Sequence, residues 1–291
     1  MTSPPLRTRP GLGARYWRLF AASTVSNLGD GVFAVALPLI TVGLTRDPTT
    51  VAGVAAAQRL PWLLFALPAG ALVDRGDRRR IMVAADMARG AIVAALAGAV
   101  AADVHTVAWL YVTGFVLGMA ETLFDNASQT ILPRLVDPDQ LPRANGNLFA
   151  TETITNSFVG PPLGGFLVAA AASLPLWLDG GSYLVAAALV ASLPGRYGVH
   201  SGAAARPGRG DPRPHLGREI AEGVRWLWGH RLLRSLALLL GLMNLWLTAG
   251  FAVLVLFATE RLGLDEVGFG LLLTATAVGS VVGGLVAGRL A

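Results

Sequence analysis

The sequence contains no cysteine and no lysine, and only 14% of its residues are charged. Without cysteine there are no disulfides, no thiolate metal sites and no cysteine nucleophile. Without lysine the chain holds no Gly-x-x-x-x-Gly-Lys-Ser/Thr loop, so it binds no ATP in that way. The scarcity of charge bears on fold class, because about a quarter of a soluble domain is ordinarily charged. Here 54% of the residues are hydrophobic, and they lie in runs too long and too many for one soluble core. The chain reads as a polytopic all-α membrane protein. Its four histidines, His105, His200, His215 and His230, fall in loops or at helix edges, away from carboxylates at metal-ligand spacing. No catalytic constellation emerges, so the expectation is a protein that is not an enzyme and carries no cofactor.

Eight apolar runs are present, at roughly 17–44, 51–73, 81–102, 106–131, 147–172, 176–194, 235–258 and 267–289. Each is near the length of about 20 residues that a spanning helix needs. Residues 1–18 are basic like the front of a signal peptide, but the run that follows is too long for a cleavable core. The positive charge is all arginine, and 19 of the 23 arginines fall in the N-terminal tail, 74–80, 132–146, 195–234 and the C-terminus. That distribution predicts a cytoplasmic N-terminus. Clustering in the gaps between runs argues against nucleic acid as the partner and for a lipid bilayer.

Residues 195–217 are rich in Gly, Pro and Arg and read as a flexible linker. Beyond them Leu216, Ile220, Val224 and Leu227 lie at helical spacing beside Arg218, Arg225, Trp226 and Trp228. This pattern suits a helix lying on the inner membrane surface or, equally, an extension of the seventh run. The expected organisation is a six-helix bundle over 1–194, a cytoplasmic linker over 195–234, and a partial second bundle over 235–291. A faint repeat supports two related halves: Gly284-Leu-Val-Ala-Gly-Arg289 echoes Gly70-Ala-Leu-Val-Asp-Arg75.

The short turn after the second run carries Gly70, Leu72, Asp74, Arg75, Arg78 and Arg79. It resembles the signature Gly-x-Leu-x-Asp-Arg-x-Gly-Arg-Lys/Arg of the major facilitator superfamily of transporters, with Asp77 at the second glycine. In the fifth run Gly160-Pro161-Pro162-Leu163-Gly164-Gly165 resembles the Gly-Pro-x-x-Gly-Gly motif of proton-antiporting exporters in that superfamily, with Asn156 at the leading glycine. Prolines interrupt backbone hydrogen bonding and glycines admit close helix approach. Gly279, Gly283, Gly284 and Gly288 make the eighth run the expected partner; ordinary packing of transmembrane helices is the alternative. Further likeness lies in Ser26-Asn27-Leu28-Gly29-Asp30, Gln58-Arg59-Leu60-Pro61, Ala120-Glu121-Thr122-Leu123-Phe124 and Leu132-Pro133-Arg134-Leu135-Val136. These segments are similar to the macrolide-efflux and enterobactin-export branch. The resemblance implies two six-helix bundles rocking about a central site, with the signature turn bridging the second helix to the eleventh. The sequence ends after the eighth run.

Ionisable groups inside a membrane are costly and point to function. Asp30 lies halfway along the first run and Arg59 in the outer half of the second. Glu121 and Asp125, one turn apart on the fourth, share a helix face, an arrangement that favours carrying a proton. Asp30 or Glu121 is the expected protonation site, with Arg59 as charge partner; a static ion-pair lattice is the alternative. Arg89 has Asp86 or Asp125 as candidate partners. Asp179 reads as interfacial, and Glu152 as a structural partner of the 74–80 turn. Many proton-coupled relatives carry an arginine in the fourth helix, and 106–131 contains none.

The resemblance implies a proton-driven exporter of a small hydrophobic or amphiphilic molecule, drug- or siderophore-like, in a bacterial plasma membrane. The alternative is a truncated, transport-incompetent protein of exporter ancestry. A membrane-embedded enzyme is a third reading, and it lacks a catalytic centre.

Overall fold

A computed structural model describes residues 11–195, 197 and 225–290. Among these every regular element is helical, as a bilayer requires, since a helix satisfies its backbone groups within one segment. The elements are α1 (Gly13–Leu44), α2 (Pro48–Arg75), α3 (Arg78–Ala101), α4 (Val107–Ile131), α5 (Leu141–Glu152), α6 (Gly160–Ala170), α7 (Leu174–Ala191), α8 (Arg231–Leu256) and α9 (Glu266–Leu290). Among the described residues, five helical stretches are long and apolar enough to cross a membrane: Gly13–Leu44, Arg78–Ala101, Val107–Arg134, Leu174–Ala191 and Arg231–Arg261. The bent α2 makes a sixth. It turns by 58° at Pro68, where the proline ring removes a hydrogen-bond donor and crowds the preceding turn.

The expected fifth run is helical throughout but changes pitch. Between α5 and α6 lies a π-helical stretch, Thr153–Val159. Pro161 and Pro162 have no N–H to offer the carbonyls one turn earlier, and the wider turns sit directly before them. The eighth run is α9.

Turns are set by local chemistry. Asp47 caps α2, accepting from the Thr50 N–H at 2.8 Å and the Thr50 hydroxyl at 2.6 Å, with Pro48 in the first helical position. Those two Thr50 bonds, with Thr49 adding its N–H, hold the exposed Asp47 carboxyl below the usual carboxylate range. Asp77 caps α3 through the Arg80 N–H, so α2 and α3 are joined by only two residues.

Residues up to 197, together with those from Val255 onward, form one compact unit; those from 225 to Leu254 belong to a second. In the first unit neighbours pack in the sequence α2, α4, α3, α7, α1, α6, α9. Two apolar clusters fill it. One gathers Tyr16, Leu19, Met82, Phe124, Ile131 and Leu193; the other gathers Phe33, Leu37, Leu96, Leu110, Leu176 and Tyr183. In the second unit residues 225–229 are helical, and α8 exposes Leu238, Leu242 and Trp246. The linker expected over 195–217 and most of the amphipathic stretch from Leu216 to Leu227 lie outside the described residues.

Candidate functional site: a buried charge cluster on α1, α3 and α7

Two close helix crossings, both made at glycine, assemble the site. A Cβ on Gly90 of α3 would lie 3.2 Å from the Gly180 carbonyl oxygen of α7. A Cβ on Gly180 would in turn lie 3.4 Å from the Gly90 carbonyl oxygen. This backbone approach sets Asp86 and Arg89 against Asp179 and Tyr183. On the other side of α7, a side chain at Gly29 of α1 would occupy the space taken by the Ser182 hydroxyl and the Asp179 carboxyl. Asp30, the next residue, is thereby placed over the same face of α7.

Arg89 is the cation at the centre, only 2% exposed. Its guanidinium lies 4.7 Å from the Phe124 ring centroid and 4.9 Å from that of Tyr183. These two rings come one from each apolar cluster, so the charge sits between the clusters. Desolvated cation–π contacts of this kind contribute about 2 kcal/mol each. Arg89 pairs with Asp86 on its own helix at 3.9 Å, both side chains being buried. Asp30 is half-buried and accepts a 2.5 Å hydrogen bond from the Tyr183 hydroxyl. Asp86 and Asp179 have no exposure, and all four of their carboxylate oxygens lack hydrogen-bond partners.

The structure changes several sequence-based pairings. Arg59 is exposed on α2 and is not the charge partner of Asp30; Arg89 is the cation that acts on it. The reason is packing: α2 rests on α4, whereas α1 rests on α7, which also carries α3. Asp179 is not interfacial but wholly buried, because α7 turns that face toward α1 and α3. Glu152 forms no ion pair with the 74–80 turn among the described residues; it is exposed, and its carboxylate acts on Asp30 and Asp125. Glu121 and Asp125 are both exposed on α4, and both interact electrostatically with Arg89. Tyr183 and Asp179 were missed as site residues, although an aspartate inside an apolar run is itself a signal. No group of three or more His, Asp or Glu is placed to hold a metal ion among the described residues.

The signature turn reaches the chain that follows α7. Arg78 donates to the Tyr197 carbonyl at 2.9 Å and Arg79 to the Leu193 carbonyl at 2.6 Å. Arg18 joins them at the Ser192 carbonyl, 2.7 Å away. Arg18 and Arg79 thus bond the cap residue of α7 and the one after it, beside the negative end of its dipole, while Arg78 holds the chain beyond it. Asp74 and Arg75 are exposed, and a Cβ on Gly70 would lie 3.9 Å from the Asn126 side-chain oxygen.

The glycines of the fifth run serve two helices. A Cβ on Gly160 would lie 2.6 Å from Gly31 Cα, and one on Gly164 2.7 Å from the Val32 carbonyl oxygen, both on α1. A Cβ on Gly165 would lie 2.5 Å from the Glu266 carbonyl oxygen, at the start of α9. Pro161 likewise abuts Gly270. Among the described residues a Cβ on Gly279, the first glycine of the expected partner stripe, would meet nothing within 4 Å, and the contact falls on Glu266, Val267 and Gly270. The surroundings of Gly283, Gly284 and Gly288 lie outside the described residues.

Comparison with known proteins bears on the family and the fold. The family pattern described as Major Facilitator Superfamily matches residues 19–291. A protein named multidrug efflux pump Tap, from Mycobacterium tuberculosis, is 30% identical over 290 residues, covering 94% of this chain. The protein of the same name from Mycolicibacterium fortuitum is 29% identical, covering 92% of this chain. The chain spans 64% of the length of each of these relatives. A crystal structure of a bacterial homolog of the human lysosomal transporter Spinster, inward-facing and unoccupied, superposes with a TM-score of 0.68 at 16% identity. That match covers 99% of this chain and 64% of the other, and at such low identity it speaks for the fold alone. On the family match and the shared helical architecture together, this chain is a multi-pass membrane protein belonging to the Major Facilitator Superfamily.

Proposed function

We propose that this chain works in the outward transport of a small hydrophobic or amphiphilic molecule, driven by proton entry across a bacterial plasma membrane. Membership of a transporter family, rather than an enzyme family, is shown by the family match; direction, cargo class and coupling ion are the proposal. One observation carries the coupling. Asp30 is a half-buried carboxylate on α1, hydrogen-bonded by Tyr183 and acted on by Arg89. A group so placed is reachable from water yet set in an apolar interior, where its charge state changes its environment most. Export is favoured by the relatives' printed name, multidrug efflux pump, and by the glycine contacts of the fifth run.

The cargo class is supported by an uncharged cavity of about 330 Å³ between α1, the π-helical stretch and α9. Thr153, Asn156, Ser157, Pro161, Thr276 and Ser280 are among the residues that line it. Hydroxyl and amide groups set among apolar walls suit a neutral or amphiphilic molecule. The arginine distribution supports a cytoplasmic N-terminus, with a first bundle over 1–194, a linker over 195–234 and part of a second bundle beyond as the proposed organisation. No cofactor is needed for this chemistry, and the proton gradient supplies the energy.

The test is drug or dye efflux from cells producing the protein from its own gene. Asp30→Asn should abolish efflux driven by a proton gradient while leaving membrane insertion intact. Unchanged efflux in that variant would remove Asp30 from the coupling and this reading with it.

A further inference from the structure

One end of the first unit carries positive charge without countercharge. There α1 and α3 begin and α7 ends, and Arg18 and Arg79 bond the successive carbonyls of Ser192 and Leu193. Each bond uses one of the five N–H donors of a guanidinium. Neither side chain has another partner among the described residues. Arg18 is exposed, and the unpartnered nitrogens of the half-buried Arg79 still reach the surface. Arg78 differs, being buried with its Nε closed off. No carboxylate stands within ion-pair distance of Arg18 or Arg79, since the ion pairs among the described residues are Arg46–Glu260 and Arg89–Asp86. Of the acids in the adjoining turn, Asp77 caps α3 through the Arg80 N–H, and Asp74 is exposed. Holding the end of α7 therefore occupies one donor of each guanidinium and leaves both charges unanswered.

An apolar surface leads to this charge. Along α7 Trp177, Leu184, Val185 and Ala188 are exposed at helical spacing, and their stripe runs into Ser192. Leu174–Ala191 is long and apolar enough to cross a membrane, so this stripe faces acyl chains and Ser192 stands at headgroup level. Trp17, exposed beside Arg18, is a residue type favoured at that level. We propose that Arg18 and Arg79 hold the phosphate of an anionic phospholipid whose acyl chains lie along the exposed stripe of α7.

Charge complementarity selects this occupant. The planar guanidinium fork matches phosphate oxygens, and basic pockets between spanning helices suit anionic headgroups. A phosphatidylcholine headgroup carries its own cation, which two guanidiniums repel, whereas phosphatidylglycerol brings a net negative charge. The carbonyl bonds hold both guanidiniums in place before the lipid arrives, so little side-chain freedom is lost on binding. A bound headgroup ties the start of α1 to the start of α3 across the end of α7 and stabilises the folded chain by mass action. The site rests on the packing and charge of this end and is independent of the transport reading.

The test is intact-complex mass spectrometry of the purified chain in micelles, with phosphatidylglycerol and phosphatidylcholine offered in equal amounts. The wild-type chain should retain phosphatidylglycerol in preference by roughly twentyfold, about fivefold for each guanidinium. The double variant Arg18→Gln with Arg79→Gln should lose most of that preference. Arg80→Gln, on the same turn and exposed, should keep it. No preference in the wild-type chain, or an unchanged one in the double variant, would overturn the site. So would an equal loss in Arg80→Gln, which would reduce the effect to a diffuse positive surface. Excess inorganic phosphate should not displace the bound phosphatidylglycerol; displacement would assign the guanidiniums to a free anion and overturn the lipid. The double variant also loses two carbonyl bonds, so its helix content is measured alongside. If that content falls, Ser192→Glu decides alone. It keeps both arginines and the backbone carbonyls they bond, and sets a carboxylate beside them. Its preference for phosphatidylglycerol should fall by about fivefold or more, and an unchanged preference there overturns the site.

Discussion

Replacing Arg89 with methionine tests whether the charge cluster is held together as the structure indicates. Methionine keeps much of the volume and the contact with Phe124 and Tyr183, but removes the countercharge. At 3.9 Å the Arg89–Asp86 attraction is about 4 kcal/mol for an effective dielectric constant of about 20. That figure agrees with the roughly 3–5 kcal/mol lost when one partner of a buried ion pair is removed. Loss of the cation–π contacts adds up to about 2 kcal/mol for each ring, less whatever the methionine thioether regains there. A loss of at least about 4 kcal/mol is expected at neutral pH. The assay is unfolding of the purified chain in mixed micelles titrated with a denaturing detergent, followed by helix content. Two controls sharpen it. Adding Asp86→Asn to Arg89→Met should restore a large part of the loss, because the orphaned carboxylate is gone. Lowering the pH should also restore part of it, because protonation neutralises the same carboxylate. A loss below about 1 kcal/mol, the range of exposed ion pairs, would refute the reasoning. So would a double variant no more stable than Arg89→Met alone.

Three further outcomes are expected. Gly164→Ala places a methyl group 2.7 Å from the Val32 carbonyl oxygen, whereas Gly98→Ala in α3 meets nothing within 4 Å. In the same unfolding assay Gly164→Ala should be the less stable of the two by about 1–3 kcal/mol, the usual cost of overpacking; equal stability would remove the tight α1–α6 contact. Arg79→Gln removes the 2.6 Å charge-assisted bond to Leu193 and should cost about 1.5–3 kcal/mol, against less than about 0.5 kcal/mol for the exposed Arg80→Gln. Similar losses for the two would show that the α7 end does not depend on the signature turn. Asp47→Asn should keep the α2 cap and Asp47→Ala should lose it. Since the folded carboxyl titrates below its unfolded value, the stabilisation Asp47 gives is present above the unfolded value and fades as pH falls through the folded one. The advantage of the wild-type chain over Asp47→Ala should shrink on acidification, and a pH-independent difference would contradict the capping role.

Helix content, the number of apolar runs and the family signatures were legible in the sequence because each is a local property. A run of about 20 apolar residues satisfies its own backbone only as a helix, and the turn at 70–80 and the glycines at 160–165 are contiguous motifs. Asp30 was also legible, since an aspartate inside an apolar run is conspicuous whatever surrounds it. Its partner was not. Proximity along the chain and position within the membrane both offered Arg59, but the choice between two arginines on neighbouring helices depends on which helices touch. Close approach at Gly90–Gly180 and at Gly29 packs α7 between α3 and α1, and that contact alone brings Arg89, Tyr183 and the wholly buried Asp179 to Asp30. By the same rule the sequence identified the glycines of the fifth run as packing residues, while tertiary structure decided that Gly164 faces α1 and Gly165 faces the start of α9. Hydropathy fixes which residues leave water; only the side-to-side packing of helices, set by where small residues let backbones meet, fixes which charges face each other once inside.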